Sequence, residues 1–337
     1  MAAVDGALAD AGGRMRVVEG IDQLPSGLRY VATVGVFDGV HRGHCAVLRT
    51  TVRAARAEAA AAVVVTLDPH PEAVLRGRPP LLLSDPAERL ARLAATGIDF
   101  AVVQHFDLAF ASLPAERFVE RLARGRELEG VVMSSESAFG NQRRGTPALL
   151  AEAGRRIGFN LLEVSPLRVA NRPVSSSTIR ELVGAGQLSA ARRLLGRAHA
   201  VVGEVVHGEG RGRALGYPTA NLAFREPVVL PPDGIYAVRV SWGGENVLAP
   251  ARRAEGVASL GVRPTFGPGQ RVLEVHLFGV DEPLYGERLR VAFVRRQRSE
   301  RRFADAASLI RQMRRDADRA RQILDAARSV GASEHVC

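Results

Sequence analysis

The chain has 337 residues, 46% hydrophobic and 24% charged, with a formal net charge of +10, a balance that describes ordered globular domains and excludes a disordered or fibrous chain. All 46 basic residues are arginine, since no lysine occurs anywhere, and this removes the lysine that Walker-type phosphate loops and Schiff-base catalysis require. The length favours two domains over one.

Between Tyr30 and about Leu195, short β-branched runs alternate with longer helical ones. In chain order they are YVATVGV (30–36), HCAVLRTTVRAARAEAA (44–60), AVVVTL (62–67), DPAERLARLAATG (85–97), IDFAVVQHF (98–106), PAERFVERLARG (114–125) and LEGVVM (128–133). Strands separated by helices of this length predict crossovers and a parallel sheet covered on both faces, a Rossmann-like α/β domain. Two short helices, around residues 177–183 and 188–195, close it, with GAGQ as the turn between them. After Gly196 the texture changes to short strands divided by Gly, Pro and Asp turns: AVVGEVVHG (200–208), VVLPPDGIYAVRVSW (228–242), GVASLGV (256–262), RVLEVHLF (271–278) and RLRVAFVRR (288–296). Strands at this spacing without intervening helices predict a small antiparallel barrel. Residues 303–328 carry apolar side chains at helical spacing and should form a closing amphipathic helix. No internal repeat is visible.

Residues 34–48, VGVFDGVHRGHCAVL, pass from strand to helix with His41 and His44 at the turn. In a parallel sheet, ligands bind at the carboxyl ends of strands, where the next helix aims its free N–H groups and positive dipole end. Gly35, Gly39 and Gly43 let backbone approach a ligand there, and the two imidazoles can stabilise charge on a phosphate under attack. A second segment, VSSSTIRELV (174–183), sets Ser175, Ser176 and Ser177 before a helix, with Arg180 one turn in, and so offers hydroxyls, amides and a cation to phosphate. In the later part, HGEGRGRALGYPTANLAF (207–224) supplies Gly208, Gly210 and Gly212 for a loop around phosphate, with Arg211 and Arg213 for charge. Thr219 and Asn221 present two oxygens on one face of an extended segment, suited to a hard cation, and Mg²⁺ with ATP is the natural occupant. Glu274 and His276 share a strand face; a glutamate inside so apolar a run needs a reason.

GVFDGVHRGH and SSSTIR resemble the nucleotidyltransferase superfamily, and TLDPHPEAVL (66–75) with AFGNQRRG (138–145) narrows the resemblance to the bacterial bifunctional riboflavin kinase/FAD synthetase family. The likeness runs from about Arg29 to Leu324. It implies an FMN adenylyltransferase domain over 15–197 and a riboflavin kinase domain over 198–330. In the first, His41 and His44 would be catalytic and Gly35, Phe37, Asp38, Gly43, Ser175, Ser176, Ser177 and Arg180 would hold nucleotide. In the second, Gly208, Arg211, Gly212 and Arg213 would hold phosphate, Thr219 and Asn221 the metal, and Glu274 would be the base. Pro69, His70, Phe139 and Arg298 would contact flavin. LPPDGIYAV (230–238), GVRPTFG (261–267) and LYGERLRVAFVRRQRSERRF (284–303) are further matches, read mostly as scaffold.

The chain departs from the family pattern in places. SSESAFG (134–140) has Ser134 for a glycine, Glu136 for Asp or Asn, and Ser137 for an aromatic; Ser177 replaces threonine, Cys45 a common glutamine, and Ser259 an asparagine. Two other readings therefore stay open: a kinase whose first domain is altered in substrate or inactive, and a non-catalytic flavin or nucleotide binder.

Partners follow from composition. Scattered arginines with one Trp and four Tyr argue for small anionic phosphates over nucleic acid. The longest apolar run, 59–67, is too short for a bilayer, and MAAVDGALADAGG lacks the regions of a signal peptide. No membrane partner and a cytoplasmic location are expected, and homo-oligomerisation is left open. Cys45 and Cys337, at opposite ends of the chain, offer neither a disulfide framework nor metal-ligand spacing, so any metal is expected on oxygen ligands.

Overall fold

A computed structural model describes residues 15–137, 139–141, 144–208, 212, 215–262, 271–329 and 337. Its contacts divide into two compact units. Of the described residues, the first takes 15–80, 89–175 and 337; the second takes 81–88 and those from 176 to 329.

In the first unit, β1 (Arg16–Glu19), β2 (Arg29–Val34), β3 (Ala61–Asp68), β4 (Phe100–His105), β5 (Glu127–Ser134) and β6 (Asn160–Val164) form one sheet in the order β1-β4-β3-β2-β5-β6. Every pairing is parallel, as the alternation of strand and helix predicts. Residues 62–66 are fully buried because helices cover both faces, which is why β3 reads as an unbroken apolar run. On one face, α1 (Arg42–Ala57) packs Leu48 and Ala55 against Val31 and Val64; on the other, α5 (Ala115–Ala123) and α6 (Pro147–Ile157) pack Phe118, Leu122 and Leu150 against Tyr30 and Val131. The chain leaves β2 toward β3 on one side and returns to β5 on the other, so the order reverses between β2 and β5. β1, α6 and β6 carry no strong periodic signal and were not predicted; β6, with two of its five residues exposed, has no continuous apolar run.

In the second unit, α7 (Ser176–Gly184) and α8 (Leu188–Leu195) precede six strands: β9 (Ala200–Val206), β10 (Ala220–Ala223), β11 (Gly234–Trp242), β12 (Arg252–Val262), β13 (Arg271–Leu277) and β14 (Arg288–Arg298). They close into a barrel in the order β10-β13-β12-β11-β14-β9, antiparallel throughout. Closure leaves no free edge. Leu222, Tyr236, Val238, Leu260, Leu273, Val275, Leu289, Val291 and Phe293 fill the interior, alternating with outward residues as period-two strands must. The C-terminal helix, Ala306–Ser329, lays Ala320 and Leu324 against Ala237 on the outer wall.

Packing assigns Leu81–Glu88 to the barrel's unit, although the sequence embeds it among the α/β elements. Leu82 bridges Val228 in parallel, with Leu82 N–H donating to Pro227 at 2.8 Å and Val229 N–H to Leu82 at 2.9 Å. Asp85 accepts from Arg288 at 2.7 Å, and Glu88 pairs with Arg290 at 3.1 Å with side chains 2% and 7% exposed. Beside them His199 is fully buried, its Nε2 lying 2.9 Å from the Val229 carbonyl. Burial pushes its pKa down from 6.5 to about 4, because desolvation disfavours the imidazolium.

Candidate functional sites

Each unit carries one candidate site. In the first, the segment after β2 runs to the amino end of α1 beside the strand-order reversal, where α/β sheets bind ligands. His41 is the N-cap of α1, and its Nδ1 accepts the His44 amide at 3.2 Å. The two rings stack with centroids 3.5 Å apart and planes inclined by 16°. His41 is 4% exposed and Asp38 2%, so the turn is seated inside the unit. Phe37 (φ 54°) and Val40 (φ 35°) hold positive φ without being glycine, a strained backbone of the kind that clusters at functional sites. Gly43 meets a steric requirement. A Cβ there would lie 3.1 Å from the Val174 carbonyl and 3.2 Å from the His41 ring, so glycine lets the turn lie against the residue preceding Ser175. Gly35 likewise seats the Phe37 ring, whose nearest atom would be 3.1 Å from an added Cβ.

Pro69 and His70 follow β3, the neighbour of β2, and His70 caps the short helix α2 (Pro71–Arg76) by accepting the Glu72 amide at 3.2 Å. Phe139 follows β5. Its ring lies 5.4 Å from Phe118 and over Gly145, with which it forms an isolated bridge, so one face is committed to the core. Ala138, Gln142 and Arg143 of the same loop lie outside the described residues. Of the serines expected to bind phosphate ahead of a helix, Ser175 belongs to this unit, whereas Ser176, Ser177 and Arg180 lie within α7 in the second. Arg180 Nε donates to the Leu81 carbonyl at 2.8 Å.

One cation here was missed by sequence reasoning. Arg89 is 6% exposed and sends its guanidinium to the Val36 carbonyl at 3.4 Å and to Asp68 at 3.5 Å. It therefore stands at the carboxyl ends of β2 and β3. On the sequence it looks like the solvated face of an amphipathic helix; only its burial reveals it.

In the second unit, the β10/β13 register sets Asn221 directly opposite Glu274, and the β12/β13 register sets Ser259 on the other side of Glu274. Leu273, Val275 and Leu277 point into the barrel, so Glu274 and His276 occupy the outer face. Glu274 is half-buried on this wall, outside the apolar interior. Asn221 is 6% exposed, and its Oδ1 finds no hydrogen-bond donor among the described residues. A Cβ at Gly208 would collide with its amide, so the glycine lets the backbone at residue 208 lie against Asn221. Gly212 sits against Tyr217, whose N–H donates to Gly212 O at 2.8 Å, and a Cβ on Gly212 would come 3.3 Å from the Thr219 hydroxyl. Arg211 and Arg213 lie outside the described residues, as does most of GVRPTFG. His276 Nδ1 lies 2.8 Å from the Pro218 carbonyl, tying the Thr219 segment to β13. A cavity of about 420 Å³ opens beside Asn221, walled by Phe224, Arg225, Leu230 and Arg271.

The geometry fits a hard cation. Asn221 Oδ1 is a buried, unsatisfied oxygen donor, whereas no cluster of three His, Cys, Asp or Glu capable of holding a metal occurs among the described residues. Arg298 is engaged elsewhere, in a bidentate pair with Asp316 of the C-terminal helix at 3.0 and 2.6 Å.

The expectation that Cys45 and Cys337 offer no disulfide is overturned: they are bonded, with Cα atoms 5.2 Å apart across a sequence separation of 292. No spacing rule reaches so far, so only the fold reveals the pair.

Comparison with known proteins agrees with this division. The FAD synthetase family model matches residues 26–178, and the riboflavin kinase (flavokinase) family model residues 195–324. The bifunctional riboflavin kinase/FMN adenylyltransferase of Escherichia coli (strain K12) is 35% identical over 312 residues, covering 91% of this chain and 97% of that protein. The enzyme of the same description from Bacillus subtilis (strain 168) is 32% identical over 292 residues, covering 85% and 90%. A crystal structure from Streptococcus pneumoniae, described as a macrolide-efflux protein, superposes with a TM-score of 0.78 at 28% identity, covering 91% of this chain and 98% of that one. Among the described residues here, no helix is long and apolar enough to cross a membrane.

Proposed function

The chain belongs to the bifunctional riboflavin kinase/FMN adenylyltransferase family, and from that membership and the two sites we infer how each half works. The protein phosphorylates riboflavin to FMN with ATP, then transfers AMP from a second ATP to FMN, releasing FAD and pyrophosphate. The observation that carries the residue assignment is the barrel register that sets Glu274 opposite Asn221.

In the kinase step, Glu274 takes the proton of the riboflavin 5′-hydroxyl as that oxygen attacks the γ-phosphorus of ATP and ADP departs. Gly208 and Gly212 shape the loop over the phosphates, with Arg211 and Arg213 as its cations. Thr219 and Asn221 would hold Mg²⁺, which when bound neutralises phosphate charge. In the adenylyl step, a phosphate oxygen of FMN attacks the α-phosphorus of ATP. His41, His44 and the amino end of α1 stabilise the charge that develops there, with Gly35, Phe37, Asp38, Gly43 and Arg89 framing the crevice and Ser175 supplying a further phosphate contact. Pro69, His70 and Phe139 are read as flavin contacts. Arg298 is read as acting through its packing, since Asp316 occupies its guanidinium. Neither step needs a covalent enzyme intermediate; both rest on positioning and charge neutralisation.

The functional domains are read as 15–197 and 198–330, in a cytoplasmic enzyme with small phosphates and flavins, not nucleic acid, as partners. Ser137 in place of an aromatic favours one second reading, a kinase whose first domain is altered. Incubation with riboflavin, ATP and Mg²⁺, followed by separation of flavins, decides: FAD is expected, FMN alone would establish the altered first domain, and unchanged riboflavin would overturn both.

A further inference from the structure

We infer that Cys45 and Cys337 form a reversible thiol–disulfide site that orders the histidine turn, its co-reactant being a dithiol reductant. The inference rests on the adenylylation reading of that turn. Cys45 follows His44 in the first turn of α1, and its amide donates to the His41 carbonyl at 2.9 Å, closing the turn that bears both imidazoles. Cys337 is held by more than the bond. Arg49, one helical turn beyond Cys45, donates to its carbonyl at 3.1 Å, and its side chain packs against the cluster of Val40, Cys45 and Leu48. Three kinds of contact thus converge on adjacent turns of one helix.

Neither reaction uses a thiol, so this pair has no role in the chemistry itself. In a cytoplasmic protein a disulfide is usually transient and redox-sensing. Reduction takes two electrons and two protons from the dithiol. Its thiolate attacks one sulfur, the S–S bond breaks, a mixed disulfide forms and resolves, and Cys45 and Cys337 are left as thiols while the reductant becomes a disulfide. The first turn of α1 then loses its covalent anchor. Small displacements of catalytic groups cost rate, so the reduced chain should adenylylate more slowly.

The test uses the full chain, oxidised with glutathione disulfide or reduced with dithiothreitol, alkylated and weighed, and assayed separately for FMN adenylylation and riboflavin phosphorylation. Oxidised chain should take no alkyl group and reduced chain two. Reduction should slow adenylylation by about three- to tenfold, reversibly, and leave phosphorylation unchanged. Cys337→Ser should match the reduced rate and ignore reductant. Two alkylated thiols after oxidation, or equal rates in both states, would overturn the inference while leaving the adenylylation reading intact. Absence of FAD in both states, with the bond present, would instead sink that reading and the inference built on it.

Discussion

Glu274 and Asn221 occupy one rung of the barrel wall, and His41 and His44 one turn of helix, so removal of a single side chain should separate the two activities. Glu274→Ala is expected to lower FMN formation by about 10²–10⁴-fold, the range of general-base catalysis, while adenylylation of supplied FMN stays near normal. Loss of both activities would contradict separate sites. His44→Ala should lower adenylylation by about 10²–10³-fold, as loss of one charge-stabilising group does, and spare the kinase. Separate assays with riboflavin and with FMN as acceptor check both. His41 and His44 were legible in the sequence because glycines at fixed spacing flank them, whereas the role of Glu274 in RVLEVHLF came from the family resemblance alone. Arg89 was not legible, since an arginine in AERLARL carries no sign that it will be buried, nor was the cysteine pair, whose partners are 292 positions apart.

At the scale of the element, the close approach of the backbone at residue 208 to Asn221 depends on Gly208 having no side chain. Gly208→Ala drives a methyl into the Asn221 amide, and it should reduce phosphorylation about tenfold or more without changing adenylylation. An unaltered kinase would mean that the contact of Gly208 with Asn221 does not matter to phosphorylation. The strands and helices with strong periodicity followed the sequence, whereas β10 was legible only as an extended segment, because four residues with Asn221 in their midst carry too short an alternation. Short edge elements such as β1 and β6 escaped for the same reason. The segment Leu81–Glu88 could not have been assigned to the barrel from its sequence; its ion pairs to Arg288 and Arg290 span 203 and 202 positions.

The Glu88–Arg290 pair acts on the buried His199, and this imidazole gives the barrel unit a pH dependence. His199 is neutral in the fold, with a pKa lowered to about 4, whereas the unfolded chain takes up a proton near 6.5. Stability is therefore full above pH 6.5 and declines as the pH falls toward 4, by up to roughly 3 kcal/mol from this group. Thermal melts across that window should decline in the native chain and flatten in His199→Gln; parallel curves would rule out His199 as the cause. Glu88, Arg197 and Arg290 face the same ring, so their charges modulate the decline without reversing it.

For the whole molecule, the proposed assignment gives one chain two independent sites working in sequence, FMN being the product of one and the substrate of the other. Mixing the single variants tests this most directly. Glu274→Ala and His44→Ala, each given riboflavin, ATP and Mg²⁺ alone, should form little or no FAD, the first stopping at riboflavin and the second at FMN. Combined in one tube they should restore FAD, because FMN released by the second variant is adenylylated by the first. Failure of the mixture to form FAD, or full FAD formation by either variant alone, would contradict the account.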